Sequence, residues 1–242
     1  MSLTEKAKKA ISNPKLTAQI AAKTVRRLPI WQKPTSSYEE HNAQYLEEGK
    51  LEVERKVAQS FRDQDLFNSP EMRLKTLLDK YPTIRDVAVD VGSGAGWLSA
   101  ELSPIYKKVI GIEPSAKAVE IAQELYPAKK FPNIEWIVGF AEDKLPTLNL
   151  TTPTLFVTGC VLSHLQDKSV ITICKAINNI ATTGSILSFA ECWGKPSNHN
   201  MWHTRSKEWW QQALNGWEIN FHGEQIQNVP GRYKGFHAVR VK

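Results

Sequence analysis

The stretch Asp90-Val91-Gly92-Ser93-Gly94-Ala95-Gly96 decides how the rest of the sequence is interpreted. It ends a short apolar run, 87–91, and leads directly into a helical pattern that starts near Trp97. Closely spaced glycines let the backbone turn tightly and approach a ligand that side chains would block. The spacing differs from the Gly-x-Gly-x-x-Gly of dinucleotide sites, and no Gly-Lys-Ser/Thr of a nucleoside triphosphate site follows it. The stretch therefore predicts a strand–turn–helix unit that binds a ligand of another kind.

From Asp86 onward, short apolar runs alternate with helical stretches. Strands that alternate with helices predict right-handed crossovers and a parallel sheet covered on both faces, an α/β doubly wound fold. The last two runs are joined by a loop that leaves no room for a helix, so they predict an antiparallel hairpin that closes the sheet. The predicted strands are 87–91, 109–113, 134–138, 154–158, 186–190, 217–221 and 236–241, and the predicted helices are 97–104, 115–126 and 168–181.

Acidic residues follow the next two predicted strands. Glu113 ends the second strand, 17 residues after Gly96, where a carboxylate can accept two hydrogen bonds from the hydroxyls of a ribose. Glu142 and Asp143 follow the third strand, where an adenine edge would arrive. Two plainer explanations stay open, a solvated strand-end acid at Glu113 and an acidic loop or cap at 142–143. Together with the glycine turn, these acids favour a nucleoside bound across the carboxyl ends of the strands.

These residues and their spacing resemble the class I S-adenosylmethionine-dependent methyltransferases of the small-molecule type, over residues 70–242. The family's acid-x-Gly-x-Gly-x-Gly is complete at 90–96, Glu113 stands at its ribose-binding acid, and 141–143 stand at its adenine-side loop. Residues 158–165 match its fourth-strand segment, which ends in Leu-x-His-Leu. The resemblance implies a Rossmann-like, seven-stranded, mostly parallel sheet with a C-terminal antiparallel hairpin.

The resemblance also implies a cofactor, S-adenosyl-L-methionine, and its product, S-adenosyl-L-homocysteine. This ligand has a carboxylate, an amine and a sulfonium but no phosphate, so it needs backbone donors and acids and no lysine or arginine cradle. Asp90 is expected to accept a hydrogen bond from the amine, with a buried structural role as the alternative. The residues expected to bind the cofactor are Asp90, Gly92, Ser93, Gly94, Gly96, Trp97, Glu113, Pro114, Ala141, Glu142, Asp143, Gly159, Cys160 and Val161.

His164 is the candidate catalytic residue. A hydroxyl acceptor needs a general base, an imidazole titrates near neutrality, and this position lies just beyond the carboxyl end of the fourth strand. The alternative is a histidine that packs against the cofactor or fixes the loop. Both interpretations place His164 beside the bound ligand.

The segment after the fifth strand gathers aromatic, imidazole and amide side chains and is predicted to form a substrate lid over residues 191–215. Thr204 is predicted to cap the helix that carries Trp209 and Trp210. The alternative is that the tryptophans fill the core beside the sheet. The spacing of the two histidines beside Glu191 is not enough for a metal, so no metal site is predicted. The candidate substrate residues are Trp193, His199, Trp202 and His203.

The formal net charge of +6 is concentrated in the N-terminal residues 1–33, which hold eight basic residues and one acidic residue. The remaining 209 residues hold 23 basic and 24 acidic residues. A protein that grips a polyanion usually spreads its bases over the binding face, so no stable nucleic-acid partner is expected. The predicted function is methyl transfer to a hydroxyl or amine of a small molecule, with a sugar or secondary metabolite favoured. An RNA or protein methyltransferase and a non-catalytic cofactor-binding module are the alternatives.

Two regions are predicted, a basic N-terminal helical extension or cap at 1–69 and the methyltransferase domain at 70–242. The basic N-terminus is suited to weak contact with an anionic surface. The longest apolar runs fall short of the about 18 residues of a membrane-spanning helix, and the N-terminus lacks the apolar core of a secretory signal. Cys160, Cys174 and Cys192 form no Cys-x-x-Cys pair, which favours a reducing, cytoplasmic location.

Overall fold

The computed structural model describes residues 79–82, 84–159, 161–191, 193, 197–199, 202–222 and 235–241. The predicted N-terminal extension, 1–69, lies outside the described residues, and so does the predicted boundary at residue 70. All structural statements below concern the described part of the chain.

The described strands are β1 Val87–Val91, β2 Lys108–Glu113, β3 Ile134–Val138, β4 Thr154–Gly159, β5 Ile186–Ala190, β6 Ser197–His199, β7 Trp202–Thr204, β8 Trp217–His222 and β9 Gly235–Arg240. The described α-helices are α1 Trp97–Leu102, α2 Ala116–Leu125, α3 Ala141–Lys144, α4 Asp167–Ile180 and α5 Lys207–Ala213. Short 3-10 turns cover Leu145–Thr147 and Leu162–His164. The seven strands predicted from the sequence are all present, each within one residue of its predicted bounds at either end.

Seven of the described strands form one sheet in the order β3-β2-β1-β4-β5-β9-β8. The first five of these are parallel to one another, and β9 is antiparallel to both β5 and β8. This confirms the predicted doubly wound α/β sheet with a closing antiparallel hairpin. Because the chain order reverses between β2-β1 and β4, a crevice opens at the carboxyl ends of β1 and β4, where such sheets hold ligands.

Two apolar layers cover the sheet because neighbouring side chains of a strand point to opposite faces. On β1, Ala88 belongs to one buried cluster with Leu98 and Leu102 of α1. Val89, the next residue, belongs to the other cluster with Phe156 of β4 and Ile173 of α4. A central parallel strand buried on both faces needs a continuous apolar run, which is the pattern that predicted β1, β4 and β5.

The segment between β5 and α5 differs in two details from its predicted form. Residues 197–199 pair with 202–204 as a small antiparallel hairpin, β6-β7, where only a loop was predicted. The prediction that Thr204 caps α5 is wrong, because Thr204 ends β7 and Ser206 is the N-cap. Ser206 Oγ accepts a hydrogen bond from Trp209 N at 3.1 Å. Both residues are hydroxyl-bearing, and strand pairing decides which one is free to cap.

The helices of the described residues are all too short or too polar to cross a lipid bilayer.

Candidate cofactor site and active site

The glycine turn has the backbone conformation that its sequence predicts. Gly92, Gly94 and Gly96 have φ values of 75°, 50° and 81°, a left-handed region that L side chains rarely adopt. The turn is anchored to β2, since Gly92 N and Ser93 N both donate to Ile112 O at 2.8 and 3.0 Å. Residues with a side chain at these three positions would therefore strain the backbone of the turn.

The same turn lies close to neighbouring elements. A Cβ on Gly92 would stand 2.5 Å from Val161 Cγ2, beyond the end of β4. A Cβ on Gly96 would collide with the indole of Trp136 on β3 and stand 3.0 Å from Ala122 Cβ. The predicted cofactor residues Gly92 and Val161, 69 positions apart in the chain, are thus brought together. Trp136, which the sequence analysis missed, forms part of the wall around the turn.

Glu113 joins the end of β2 to the glycine turn. Its side chain is buried, Oε2 accepts a hydrogen bond from Gly94 N at 3.0 Å, and Oε1 accepts one from Ser115 N at 2.9 Å. An ionised carboxylate has about four lone-pair sites and can accept more than two hydrogen bonds. The alternative of a solvated strand-end acid is wrong, because Glu113 is only 2% exposed.

Asp90 is buried at the end of β1, beneath the turn. Its Oδ2 accepts a hydrogen bond from Ser99 Oγ of α1 at 2.7 Å. Burial raises the pKa of Asp90 to about 6, although the hydrogen bonds from Ser99 act in the opposite direction. The structural role that the sequence left open for Asp90 is therefore present, since this carboxyl ties β1 to α1. Ser93 Oγ is buried and has no hydrogen-bond partner among the described residues.

The loop after β3 turns back beside Glu113. Gly139 N donates to Glu113 O at 3.0 Å, and α3 begins at the buried Ala141. Glu142 is half-buried and Asp143 is exposed, both in the first turn of this short helix. Phe140, immediately before α3, is a large apolar side chain that is 51% exposed. The loop therefore offers one free aromatic face and two carboxylates near the end of β2.

The remaining predicted cofactor residues lie at the same edge of the sheet or follow the turn. Pro114 and Trp97 are half-buried, directly after β2 and at the start of α1. Gly159 ends β4, and a Cβ placed on it would meet nothing within 4 Å. Open space thus faces the end of β4. Cys160 lies outside the described residues.

His164 ends the 3-10 turn Leu162–His164 that follows β4. It is half-buried, and its backbone N donates to Val161 O at 3.0 Å. The turn contacts β7 of the small hairpin, so the hairpin covers the element that carries the candidate base. His164 therefore lies at the carboxyl edge, as predicted.

Glu191 was not predicted as a site residue, but its hydrogen bonds hold the backbone that follows β4 at the carboxyl edge of the sheet. It directly follows β5, is fully buried, and accepts five hydrogen bonds from residues 158–163. The donors to Oε1 are Thr158 Oγ1 at 2.8 Å, Val161 N at 2.9 Å and Leu162 N at 3.0 Å, and those to Oε2 are Ser163 N at 2.8 Å and Ser163 Oγ at 2.7 Å. The signal in the sequence was an acid directly after a continuous apolar run.

Arg205 holds the opposite end of the same turn and was also missed. Its guanidinium donates to Leu162 O at 2.8 Å, to Leu165 O at 2.6 Å and to Asp167 Oδ1 at 2.8 Å, while only 3% of the residue is exposed. The guanidinium also stacks on Trp209, 4.9 Å from the ring centre. A buried arginine with these partners fixes the backbone from 162 to 167.

The four candidate substrate residues do not share one environment. Trp193 is buried in the core, and its Nε1 donates to Gly235 O at 3.1 Å, which matches the core-filling alternative. His203 of β7 is half-buried, and burial and the Arg205 guanidinium lower its pKa. His199 and Trp202 pair across the β6-β7 hairpin, and their side chains lie outside the described residues. His203 lies on β7, which contacts the turn of residues 162–164, and it stays a predicted substrate residue.

Within the described ranges, no group of three or more His, Cys, Asp or Glu side chains is arranged to hold a metal ion. The charged side chains described at the carboxyl edge include Glu113, Glu142, Asp143, Glu191 and Arg205. Backbone donors and acids predominate there, which fits a ligand without phosphate.

Comparison with known proteins agrees with this geometry. Residues 88–184 match a family model described as a methyltransferase domain. A Dictyostelium discoideum protein provisionally named a methyltransferase is 40% identical over 58 residues, which cover 24% of this chain and 20% of that protein's length. The chain therefore matches one fifth of this curated relative.

Two solved structures share the fold. One is a provisionally assigned S-adenosyl-L-methionine-dependent methyltransferase from Methanococcus maripaludis, with a TM-score of 0.56, 13% identity, and coverage of 80% of this chain and 94% of that one. The other is the DhpI–SAH complex, with a TM-score of 0.54, 15% identity, and coverage of 81% and 97%. Together with the sheet order, these likenesses show that the chain has the fold of the class I S-adenosylmethionine-dependent methyltransferases, and that its residues 88–184 match the methyltransferase-domain model.

Proposed function

We propose that this protein transfers the methyl group of S-adenosylmethionine to a hydroxyl or amine of a small molecule, with a sugar or secondary metabolite as the favoured acceptor. The observation that carries the proposal is the hydrogen bond between Glu113 Oε2 and Gly94 N. It joins the end of β2 to the glycine turn that follows β1, next to the crevice between β1 and β4. A ribose-binding acid and a close-approach turn are thereby held as one unit.

The chain's own groups suit this cofactor in charge and shape. The buried carboxylate of Glu113 would accept hydrogen bonds from the ribose hydroxyls, and Glu142 with the exposed Phe140 ring would meet the adenine. The buried Ser93 hydroxyl has no partner among the described residues, so a ligand in the turn would give it one. When bound, S-adenosylmethionine supplies a methyl group on a positively charged sulfur that becomes a neutral thioether.

His164 is the proposed general base. The acceptor oxygen or nitrogen gains the methyl carbon, and the imidazole accepts the proton that the acceptor loses. The rest of catalysis is positioning, because an in-line displacement depends on holding the acceptor and excluding water. We assign the covering role to the proposed lid, residues 191–215, whose β6-β7 hairpin contacts the turn of His164.

The charge distribution supports a small acceptor over a nucleic acid. Outside residues 1–33 the chain holds 23 basic and 24 acidic residues, and the described carboxyl edge is rich in acids. Phosphate neutralisation supplies most of the affinity for a polyanion, and this edge offers little of it. The absence of a Cys-x-x-Cys pair supports action in the reducing cytoplasm.

The test separates cofactor binding from acceptor choice. Calorimetry of the full chain with S-adenosylhomocysteine should give saturable heat, and no heat from folded protein contradicts the proposal. Incubation with methyl-labelled S-adenosylmethionine and separate fractions of metabolites, carbohydrates, RNA and protein should label the metabolite or carbohydrate fraction. Label only in RNA or protein would keep methyl transfer and reject the acceptor class, while binding without any transfer would favour a non-catalytic cofactor-binding module.

A further inference from the structure

We infer that Glu191 is a positioning residue, which together with Arg205 fixes the turn that presents His164 to the acceptor. The inference rests on the proposed function, since it concerns the base of that reaction. It adds two residues, 191 and 205, that act on the chemistry through the backbone and not by touching the acceptor.

First, both carboxylate oxygens of Glu191 accept hydrogen bonds. Three of the five donors are consecutive backbone N–H groups, those of Val161, Leu162 and Ser163. A buried carboxylate is costly unless it is hydrogen-bonded, so a fully paired one imposes its geometry on its donors. The backbone leading into His164 is therefore fixed by a side chain from another strand.

The second step is the polarity of the turn. Glu191 binds N–H groups at its start, and Arg205 binds the carbonyl oxygens of Leu162 and Leu165 at its end. Each charge faces the end of the turn whose peptide dipoles it complements. The two residues lie 14 positions apart, one at the start of the proposed lid and one within it, so the turn is tied to the lid at two points.

The third step is the position of His164 between these anchors. It directly follows Ser163, whose N and Oγ both donate to Glu191 Oε2, and it precedes Leu165, whose oxygen accepts from Arg205. A general base must be held within hydrogen-bond reach of the proton that it abstracts. Loss of either anchor would free the backbone on one side of the imidazole.

The key variant is Glu191→Gln, which keeps shape and removes charge. Whichever way the amide is oriented, its NH2 group would face at least one of the backbone N–H donors that now bind a carboxylate oxygen. Thr158→Val and Glu135→Gln are the controls. Thr158→Val removes one hydroxyl bond to Glu191 and leaves all three backbone bonds in place, and Glu135→Gln makes the same acid-to-amide change at an exposed residue of β3. Arg205→Lys is the second test, for the case in which Glu191→Gln does not fold.

The first readout needs no acceptor. The ring signals of His164, assigned with His164→Ala, are recorded by NMR on the full chain with S-adenosylhomocysteine present. Glu191→Gln or Arg205→Lys should shift or broaden these signals, whereas the two control variants should leave them close to those of the wild type. Unchanged signals in a folded Glu191→Gln or Arg205→Lys protein overturn the inference.

The second readout is a double-mutant cycle on label transfer into the acceptor fraction. Glu191→Gln should slow transfer by about 30-fold in the wild type but by less than about threefold in His164→Ala, because residues that act as a unit are not additive. Equal losses in both backgrounds indicate a merely structural role and overturn the inference.

The two proposals fail in different ways. If the wild type transfers no methyl group, the proposed function fails, and the NMR comparison still decides whether residues 191 and 205 hold the histidine. If the wild type transfers methyl groups and His164→Ala is equally active, both the proposed base and this inference fail, while methyl transfer stands.

Discussion

Glu113 Oε2 accepts a hydrogen bond from Gly94 N at 3.0 Å, across 19 positions of sequence. The bond makes the acid at the end of β2 part of the glycine turn after β1. The acid at the end of β2 and the glycine turn therefore form one structural unit. A substitution in either of them should change the affinity for the ligand that both are proposed to hold.

Glu113→Gln should weaken binding of S-adenosylhomocysteine by about 10- to 100-fold, because the amide NH2 would face Gly94 N or Ser115 N and lose an acceptor for the ribose. Calorimetry measures the affinity. Glu135→Gln is the matched control, since Glu135 is an exposed acid of β3 paired with Lys108. Equal affinities in both variants would contradict the assigned role of Glu113.

Gly92→Ala should lower both stability and affinity. A non-glycine residue at φ 75° costs about 1–2 kcal/mol, and the new methyl group would also press on Val161. Urea unfolding measures the first effect and calorimetry the second.

Gly184→Ala separates these causes. Gly184 also has a positive φ, 84°, and lies far from the glycine turn in the sequence. A Cβ on Gly184 would stand 3.7 Å from Pro153, which is an ordinary van der Waals contact. This control should lose stability from backbone strain and keep its affinity for S-adenosylhomocysteine. A matching loss of affinity in Gly184→Ala would show that strain alone, and not the turn, explains the effect at Gly92.

The elements of the sheet were predictable because each signal is local. A continuous apolar run marks a doubly buried strand, and glycines at alternate positions mark the turn after β1. The edge that carries the proposed cofactor site was predictable for the same reason, since the carboxyl ends of parallel strands meet at one edge. Glu113 could therefore be placed from its position in the chain alone.

The hydrogen bonds of Glu191 and Arg205, which hold the turn at the carboxyl edge of the sheet, were not predictable, because they join residues far apart in the sequence. Glu191 binds donors 28 to 33 residues earlier, and Arg205 binds acceptors 38 to 43 residues earlier. No pattern in the sequence pairs such residues. The cap of α5 was misplaced for a similar reason, since pairing of β7 with β6 decides between Thr204 and Ser206.

Asp90→Asn should change the pH dependence of stability. Burial raises the pKa of Asp90 from 3.8 to about 6, so between these values the folded protein binds more protons than the unfolded chain. The free energy of unfolding should therefore fall as pH rises through this window, by at most about 3 kcal/mol for this group. Asp90→Asn has no titratable group at this position, so this decrease in the free energy of unfolding should be absent from the variant.

The comparison of Asp90→Asn with the wild type is made by urea unfolding at about pH 4, near the lower end of the window, and at about pH 7, above its upper end. The variant should gain in stability relative to the wild type as pH increases. A difference that stays constant between the two pH values would mean that Asp90 titrates alike in both states.

His164→Ala should reduce turnover by about 100-fold or more if the imidazole is the general base. The affinity for S-adenosylhomocysteine should stay near that of the wild type, because the base acts on the acceptor. Rates of label transfer at saturating cofactor measure the first quantity. A loss below about tenfold with unchanged affinity would reject the base and favour a histidine that only packs beside the ligand.

Trp193→Phe tests whether Trp193 contacts the substrate or fills the core. The indole is 8% exposed, its Nε1 donates to Gly235 O, its ring lies 5.3 Å from that of Phe221, and Lys207 Nζ lies 4.5 Å above it. We expect the variant to lose about 1–3 kcal/mol of stability, from a smaller ring and the lost indole hydrogen bond. Label transfer by the folded variant should stay within about twofold of the wild type, because this ring is occupied by core contacts.

Trp217→Phe is the matched comparison, since Trp217 is also 8% exposed and its Nε1 donates to Asn178 Oδ1 at 2.6 Å. Both variants exchange a buried indole for a smaller ring and lose one hydrogen bond. Similar losses of stability with near-normal transfer in both would assign Trp193 to the core. A selective loss of transfer in Trp193→Phe, at equal stability, would return Trp193 to the substrate residues and imply that the lid rearranges around the acceptor.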